Sequence, residues 1–360
     1  MSHRELSDSK RESQFPEPRR HNITESAQRV GSALLVLAAL PVVSLLPSLL
    51  AQQSAAPHDL SPHTVRFINV DKNVNLEVLD WGGSGRPLVL LAGLGDTAHV
   101  YDKFAPKLTS AHHVYGITRR GFGASSAPVP GNTNYTADRL GDDVLAVFGS
   151  LKLDRPVLVG HSIAGEELSS VGSRYPEKIA GLIYLDAGYS YAYYDRVRRD
   201  GMIDAPELRK KLEQLIPGTG PEDPDQVVDD LLQMLPQFEK ALCELQKDLR
   251  AMPAPPTPVL PVLTPAQAIL AGQQKYTDIR VPALAIYAIP HDFGQAFSDP
   301  AARAAAEARD LASFGAQAKA FESGMPNARV VRLARASHFV FISNEADVLR
   351  DIRGFLASLN

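Results

Sequence analysis

The stretch Pro156-Val157-Leu158-Val159-Gly160-His161-Ser162-Ile163-Ala164-Gly165-Glu166-Glu167-Leu168 constrains this chain more than any other. A short apolar run ends in Gly-His-Ser and passes at once into a segment of helical character. That is the layout of a nucleophile elbow, a sharp strand-to-helix turn that lifts a serine hydroxyl out at the C-terminal end of a sheet. Backbones crowd at such a turn, so it needs small residues. Gly160 lies two residues before Ser162, and Ala164 lies two after it, where the common pattern has Gly. Alanine is the mildest departure there, and Gly165 follows directly. Ser162 and the Ile163 amide also sit at a helix N-terminus, where free N–H groups and the dipole favour developing negative charge. A Gly-x-Ser-x-small string also arises by chance at ordinary strand–helix junctions. Its context decides.

That context is an alternating one. Val65 to Val70 and Val74 to Leu79 alternate with period two around a polar Asp71-Lys72-Asn73 turn, and read as an antiparallel hairpin. Pro87 to Leu91 is continuously apolar, as a strand buried on both faces of a parallel sheet must be. A helix near His99 to Leu108, a strand at His113 to Thr118 and a helix near Thr136 to Leu151 lead to the elbow. Beyond it come a helix from Ile163 to Arg174 and a strand from Ile179 to Leu185 that ends at Asp186. Strand alternating with helix predicts a doubly wound, mostly parallel sheet. The rhythm breaks at Tyr189-Ser190-Tyr191-Ala192-Tyr193-Tyr194. Helical periodicity alone then follows (205–216, 225–235, 238–252), and after it a Pro-rich link, so 188–278 reads as a helical cap inserted after the sixth strand. The sheet pattern resumes at Val281 to Tyr287, with a helix over 300–322, a strand at Ala328 to Leu333 and a last helix over 345–358.

The first 30 residues are polar and lack periodicity, as disordered segments do. Residues 31–56 carry no charged side chain and include a strongly apolar run at 32–51, with Arg19, Arg20 and Arg29 ahead of it and small residues after it. Those are the marks of a secretory signal. The run also has the roughly 20 residues that a membrane anchor needs. Either reading puts the 57–360 domain outside the cytoplasm, periplasmic or secreted. A net charge of −4 gives no reason to expect a nucleic-acid partner. The single Cys243 and scattered histidines suggest neither a disulfide framework nor a metal site.

A serine nucleophile needs a histidine base, itself oriented by a carboxylate. His338 follows the last strand and precedes the last helix, at the sheet edge where Ser162 should stand. Asp292, in Ile289-Pro290-His291-Asp292, is the expected carboxylate on the chain order Ser, Asp, His; Asp186, one strand over, is its rival. The Ile163 amide and the Leu94 N–H, on the Gly93-Leu94-Gly95 loop, are the candidate oxyanion donors. Glu166 and Glu167 either favour the helix dipole or line a pocket.

On these motifs the chain resembles the α/β-hydrolases. The matching segments are Leu91-Ala92-Gly93-Leu94-Gly95, Thr118-Arg119-Arg120-Gly121-Phe122-Gly123-Ala124-Ser125, Gly160 to Gly165, Pro290-His291-Asp292 and Ser337-His338-Phe339. They span nearly all of 61–360 in the family's order. Ala92 departs from the His common before the oxyanion Gly, which would loosen that loop. Ser rather than Asp at position 162 argues against the epoxide-hydrolase and haloalkane-dehalogenase branches. The resemblance implies a serine hydrolase acting without cofactor on a small-molecule ester-like substrate. C–C bond, amide or haloperoxidase-like chemistry would use the same triad. From another class, a non-catalytic ligand-binding module would use the same fold.

Overall fold

The computed structural model describes residues 63–131, 133–216, 223–251 and 263–359. The expected N-terminal segments at 1–30 and 31–56, and most of the Pro-rich link, lie outside them. Eight strands form one sheet in the order β1-β2-β4-β3-β5-β6-β7-β8. β1 (Thr64–Asp71) and β2 (Val74–Gly82) are the antiparallel hairpin, and β2 joins β4 (His113–Ile117) antiparallel. From β4 onward every pairing is parallel, through β3 (Pro87–Leu91), β5 (Val157–His161), β6 (Gly181–Leu185), β7 (Ala283–Ala288) and β8 (Ala328–Leu333).

The continuous apolar runs divide between two cores by period two. Val89, Leu91, Leu158, Leu182 and Tyr184 face one core; Leu88, Leu90, Val157, Val159, Ile183 and Leu185 face the other. Fully burying one such aliphatic side chain contributes about 1.5–3 kcal/mol. Helix α1 (Ala137–Leu151) starts where the Thr136 side chain accepts from the Arg139 N–H, and it buries Leu140, Val144, Val147 and Phe148 along one stripe. Helix α2 (Gly165–Arg174) leaves the elbow after one 3₁₀ turn, Ser162–Ala164.

The helix expected at 99–108 is instead two 3₁₀ turns, Ala98–Tyr101 and Ala105–Lys107. Pro106 explains the break, since it lacks the N–H that a continuous helix would use there. Between β6 and β7 stand α3 (Gly201–Gln214), α4 (Pro224–Ala251) and α5 (Pro265–Ala271). The two separate helices expected at 225–235 and 238–252 are the one helix α4, which runs through Pro236. Its apolar stripe of Val227, Leu231 and Met234 packs with Leu208 and Phe238, and this side-chain cluster spans the proline. Helix α5 stands within the stretch that reads as a Pro-rich link, where Thr264-Pro265-Ala266-Gln267 carries a complete capping box. Helices α6 (Pro300–Gly324), α7 (Val340–Ser343) and α8 (Glu345–Ala357) complete the described chain.

Strand register positions the site. Leu91 pairs with Gly160, His161 with Leu185, and Leu185 with Ile286. The loops after β3, β5, β6 and β7 therefore leave the sheet side by side at its C-terminal edge, where open parallel sheets bind ligands.

Candidate active site

Ser162 is the first residue past β5, partly buried, with a left-handed φ of 54°. A non-glycine residue there costs about 1–2 kcal/mol, and the packing around the turn enforces it. A methyl group on Gly165 would come within 2.1 Å of the Ala187 carbonyl oxygen. On Gly160 it would press on Leu168 and Ala164 at 2.7 and 3.1 Å. The small residues of the elbow are thus fixed by close approach of the neighbouring backbone and helix α2.

His338, on the loop after β8, contacts Asp186 and not Asp292. Its Nδ1 lies 2.7 Å from Asp186 Oδ2. Asp292 is solvent-exposed, and its carboxylate accepts from the Gly294 N–H at 2.8 Å, closing its own turn. Successive side chains in extended backbone point opposite ways, and after β7 the inward position falls to His291. The expectation for Asp292 as the orienting carboxylate is therefore corrected to its rival, Asp186.

Asp186 is fully buried, immediately after β6, with φ 48°. Its Oδ1 accepts from the Tyr189 hydroxyl at 2.5 Å and the Ala288 N–H at 3.0 Å. Its Oδ2 faces His291 Nε2 at 2.8 Å as well as His338. Burial would raise its carboxyl, but the hydrogen bonds from His291 and His338 outweigh that and hold it well below the usual carboxylate range. A permanently ionised Asp186 fixes the proton of His338 on Nδ1 and leaves Nε2 as the basic nitrogen.

Two residues that sequence reasoning had passed over hold this arrangement. His161, fully buried inside the elbow motif, has its Nε2 3.0 Å from the His338 carbonyl oxygen, to which it donates. Burial, with the charge of His338, pushes it down to about 3, so it serves as a neutral donor that anchors the His338 loop. Its ring also packs on those of His338 and Phe339. His291 is the second. Its Nδ1 lies 3.0 Å from both Asp310 oxygens, and its backbone N–H donates to the same carboxylate at 2.8 Å. Burial disfavours its charge, yet hydrogen bonds to Asp186 and Asp310 raise it to about 10.

The side chains of Leu94 and Ile163, whose N–H groups are the candidate oxyanion donors, pack in one apolar cluster with Phe122, Tyr135, Tyr191, Ala268 and Ile269. Arg119 braces the loop that carries Leu94. Its guanidinium donates to the Ala92 carbonyl at 3.0 Å and the Gly93 carbonyl at 3.3 Å. A bidentate pair with Glu167, at 2.6 and 2.8 Å, holds the guanidinium in turn. The looseness expected from Ala92 is offset by this buried ion pair, which also gives Glu167 a structural role. Glu166 is fully buried, and neither of its oxygens has a hydrogen-bond partner among the described residues. Burial, reinforced by the Glu167 charge, raises it well above its ordinary value. Tyr191, from the start of the insertion, packs against the same apolar cluster as Leu94 and Ile163. Asp96, further along the Leu94 loop, is raised by burial, against which the charges of His338 and Arg119 act.

Residues 86–345 match the family model described as alpha/beta hydrolase fold. A fluoroacetate dehalogenase of Burkholderia sp is 31% identical over 137 residues, which is 37% of this chain and 44% of the relative. A 2-(acetamidomethylene)succinate hydrolase of Mesorhizobium japonicum is 24% identical over 104 residues, 29% of this chain and 36% of the relative. The matched region thus spans less than half the length of either relative. Among solved structures, a hydrolase from Pseudomonas aeruginosa superposes with a TM-score of 0.53 at 19% identity, covering 81% of this chain and 98% of that one.

Proposed function

Because the chain belongs to the alpha/beta hydrolase fold family, we propose that it cleaves carboxylic esters through an acyl-enzyme. Ser162 Oγ attacks the ester carbonyl while His338 Nε2 takes its proton. The carbonyl oxygen gathers negative charge and is held by the Leu94 and Ile163 N–H groups. His338 then returns the proton to the departing alkoxide. Water, deprotonated by the same nitrogen, releases the acid and restores Ser162. Asp186 orients the imidazole throughout. The observation that carries this reading is the His338–Asp186 pair at 2.7 Å, at the same sheet edge that ends in a serine with left-handed φ.

The dehalogenase relative's chemistry does not transfer. A serine that displaced halide from a saturated carbon would be left as an ether, with no carbonyl for water to attack. The apolar cluster of Leu94, Phe122, Ile163, Tyr191 and Ile269 beside the serine supports a small or medium hydrophobic acyl or alcohol group. The N-terminal apolar run supports a domain exported or anchored outside the cytoplasm. A series of p-nitrophenyl esters of increasing acyl length tests the activity, with turnover expected for wild type and lost in Ser162→Ala. Turnover undiminished in Ser162→Ala would sink it. Ligand binding without turnover in either protein would favour a binding module.

A further inference from the structure

The carboxylate that orients His338 is itself shared. Asp186 Oδ2 receives His338 Nδ1 at 2.7 Å and His291 Nε2 at 2.8 Å. On its far side His291 Nδ1 is clasped by Asp310 of helix α6, at 3.0 Å from each oxygen. Side chains from four places thus run in series: the loop after β8, the end of β6, the loop after β7, and helix α6. An ordinary triad needs only the first two of these. An imidazole with a carboxylate on each nitrogen donates at both ends and carries a positive charge. The groups facing it are Asp186, Asp310, the Tyr189 hydroxyl at 3.4 Å and the His338 ring at 6.2 Å between centroids. The Phe314 ring of α6 closes the remaining edge.

We propose that His291 is a positioning residue for the Ser162–His338–Asp186 site. As a bridge from Asp186 to Asp310 it fixes the carboxylate toward His338, and as a cation it tempers how strongly that carboxylate holds a proton on His338. This assignment rests on the serine-hydrolase reading. The two effects separate chemically. Losing the bridge lets Asp186 turn away from His338. Losing only the charge leaves Asp186 in place but uncompensated, so His338 keeps its proton to higher pH and is unavailable as base there.

The test is the pH dependence of fluorophosphonate labelling of Ser162 in the full chain, for wild type, His291→Gln and His291→Leu. Glutamine retains a donor toward Asp186 without the charge. Its labelling rate should reach the wild-type plateau, with the acid limb displaced upward by about one pH unit. Leucine removes donor and charge, and should show the same displacement with a plateau at least about tenfold lower. A glutamine profile superimposed on wild type would overturn the role of the charge, and an undiminished leucine plateau would overturn the positioning. Thermal melts on each variant establish that it is folded. Wild type left unlabelled at every pH would be a failure of the hydrolase reading instead. NMR titration of the His338 ring then still tests His291, because it reads the same displacement without catalysis.

Discussion

Replacing Asp186 by Asn, with Asp292→Asn as its control, separates two carboxylates that chain order alone could not rank correctly. In the resting site an ionised oxygen lies 2.7 Å from His338 Nδ1. When Nε2 takes the serine proton, the ring becomes an imidazolium facing that oxygen. At an effective dielectric of about 20, two unit charges at this separation attract by about 6 kcal/mol. A carboxamide oxygen still accepts the hydrogen bond and retains part of that, leaving a deficit of about 4–5 kcal/mol at the transition state. At about 1.4 kcal/mol per decade, kcat should fall by about 10³–10⁴. Asp292 faces solvent and caps its own turn. Its Asn variant should keep kcat within about twofold and stability within about 0.5–1 kcal/mol. The assay is ester turnover per fluorophosphonate-titratable site, alongside thermal melts to establish folding. A folded Asp186→Asn retaining more than a tenth of wild-type kcat would refute the assignment, as would a collapse of activity in Asp292→Asn.

Arg119→Met should leave Glu167 buried without its partner, costing about 3–5 kcal/mol in denaturant unfolding, and should lower kcat more than it changes KM by freeing the Ala92–Gly93 carbonyls. An unfolding midpoint equal to wild type would count against the brace. The raised Glu166 favours folding with its proton on, a contribution fully present below the unfolded value of about 4.5 and lost as pH rises through the folded one. Glu166→Gln should therefore melt higher than wild type at pH 8, with the gap closing toward pH 5; a gap that widens on acidification would reverse the sign. His291 is likewise raised, from 6.5 to about 10, so its contribution is complete below pH 6.5 and disappears as pH climbs through about 10. That contribution is on the order of a few kcal/mol. His291→Gln should flatten the wild-type decline in melting temperature across this window, and parallel declines would contradict it. Gly165→Ala forces a methyl onto the Ala187 carbonyl and should cost about 1–3 kcal/mol, read from the unfolding midpoint.

The elbow and the sheet were legible because both are written in local pattern. Leu88 to Leu91 and Val157 to Val159 are apolar on every residue, which a strand buried on both faces demands, and small residues stand two before and two and three after Ser162. The order of loops along the sheet edge likewise put His338 at the same end of the sheet as the serine without further information. The acid was harder, since Asp186 and Asp292 each follow a parallel strand. The choice depends on which residue past β7 turns inward, a matter of where the strand ends rather than of composition. His161 was hidden at the variable position of its own motif, where any residue is admitted. Its task, donating to the His338 carbonyl, joins residues 177 apart in sequence. The clasp of His291 by Asp310 likewise depends on helix α6 folding back over the loop after β7. Arg119 stands within the Thr118 to Ser125 segment, but its partner Glu167 is 48 residues away in sequence and only the fold brings the two together. Helix α5 could have been read from its capping box, which the surrounding prolines obscured.

The central claim is that Ser162 is an activated nucleophile, and covalent labelling with a fluorophosphonate tests it most directly. Intact mass and peptide mapping of the wild-type protein should show one adduct, on Ser162. The adduct should be absent from Ser162→Ala and strongly slowed in His338→Ala. A folded wild-type protein that takes no adduct, or takes it equally well without His338, would contradict the account.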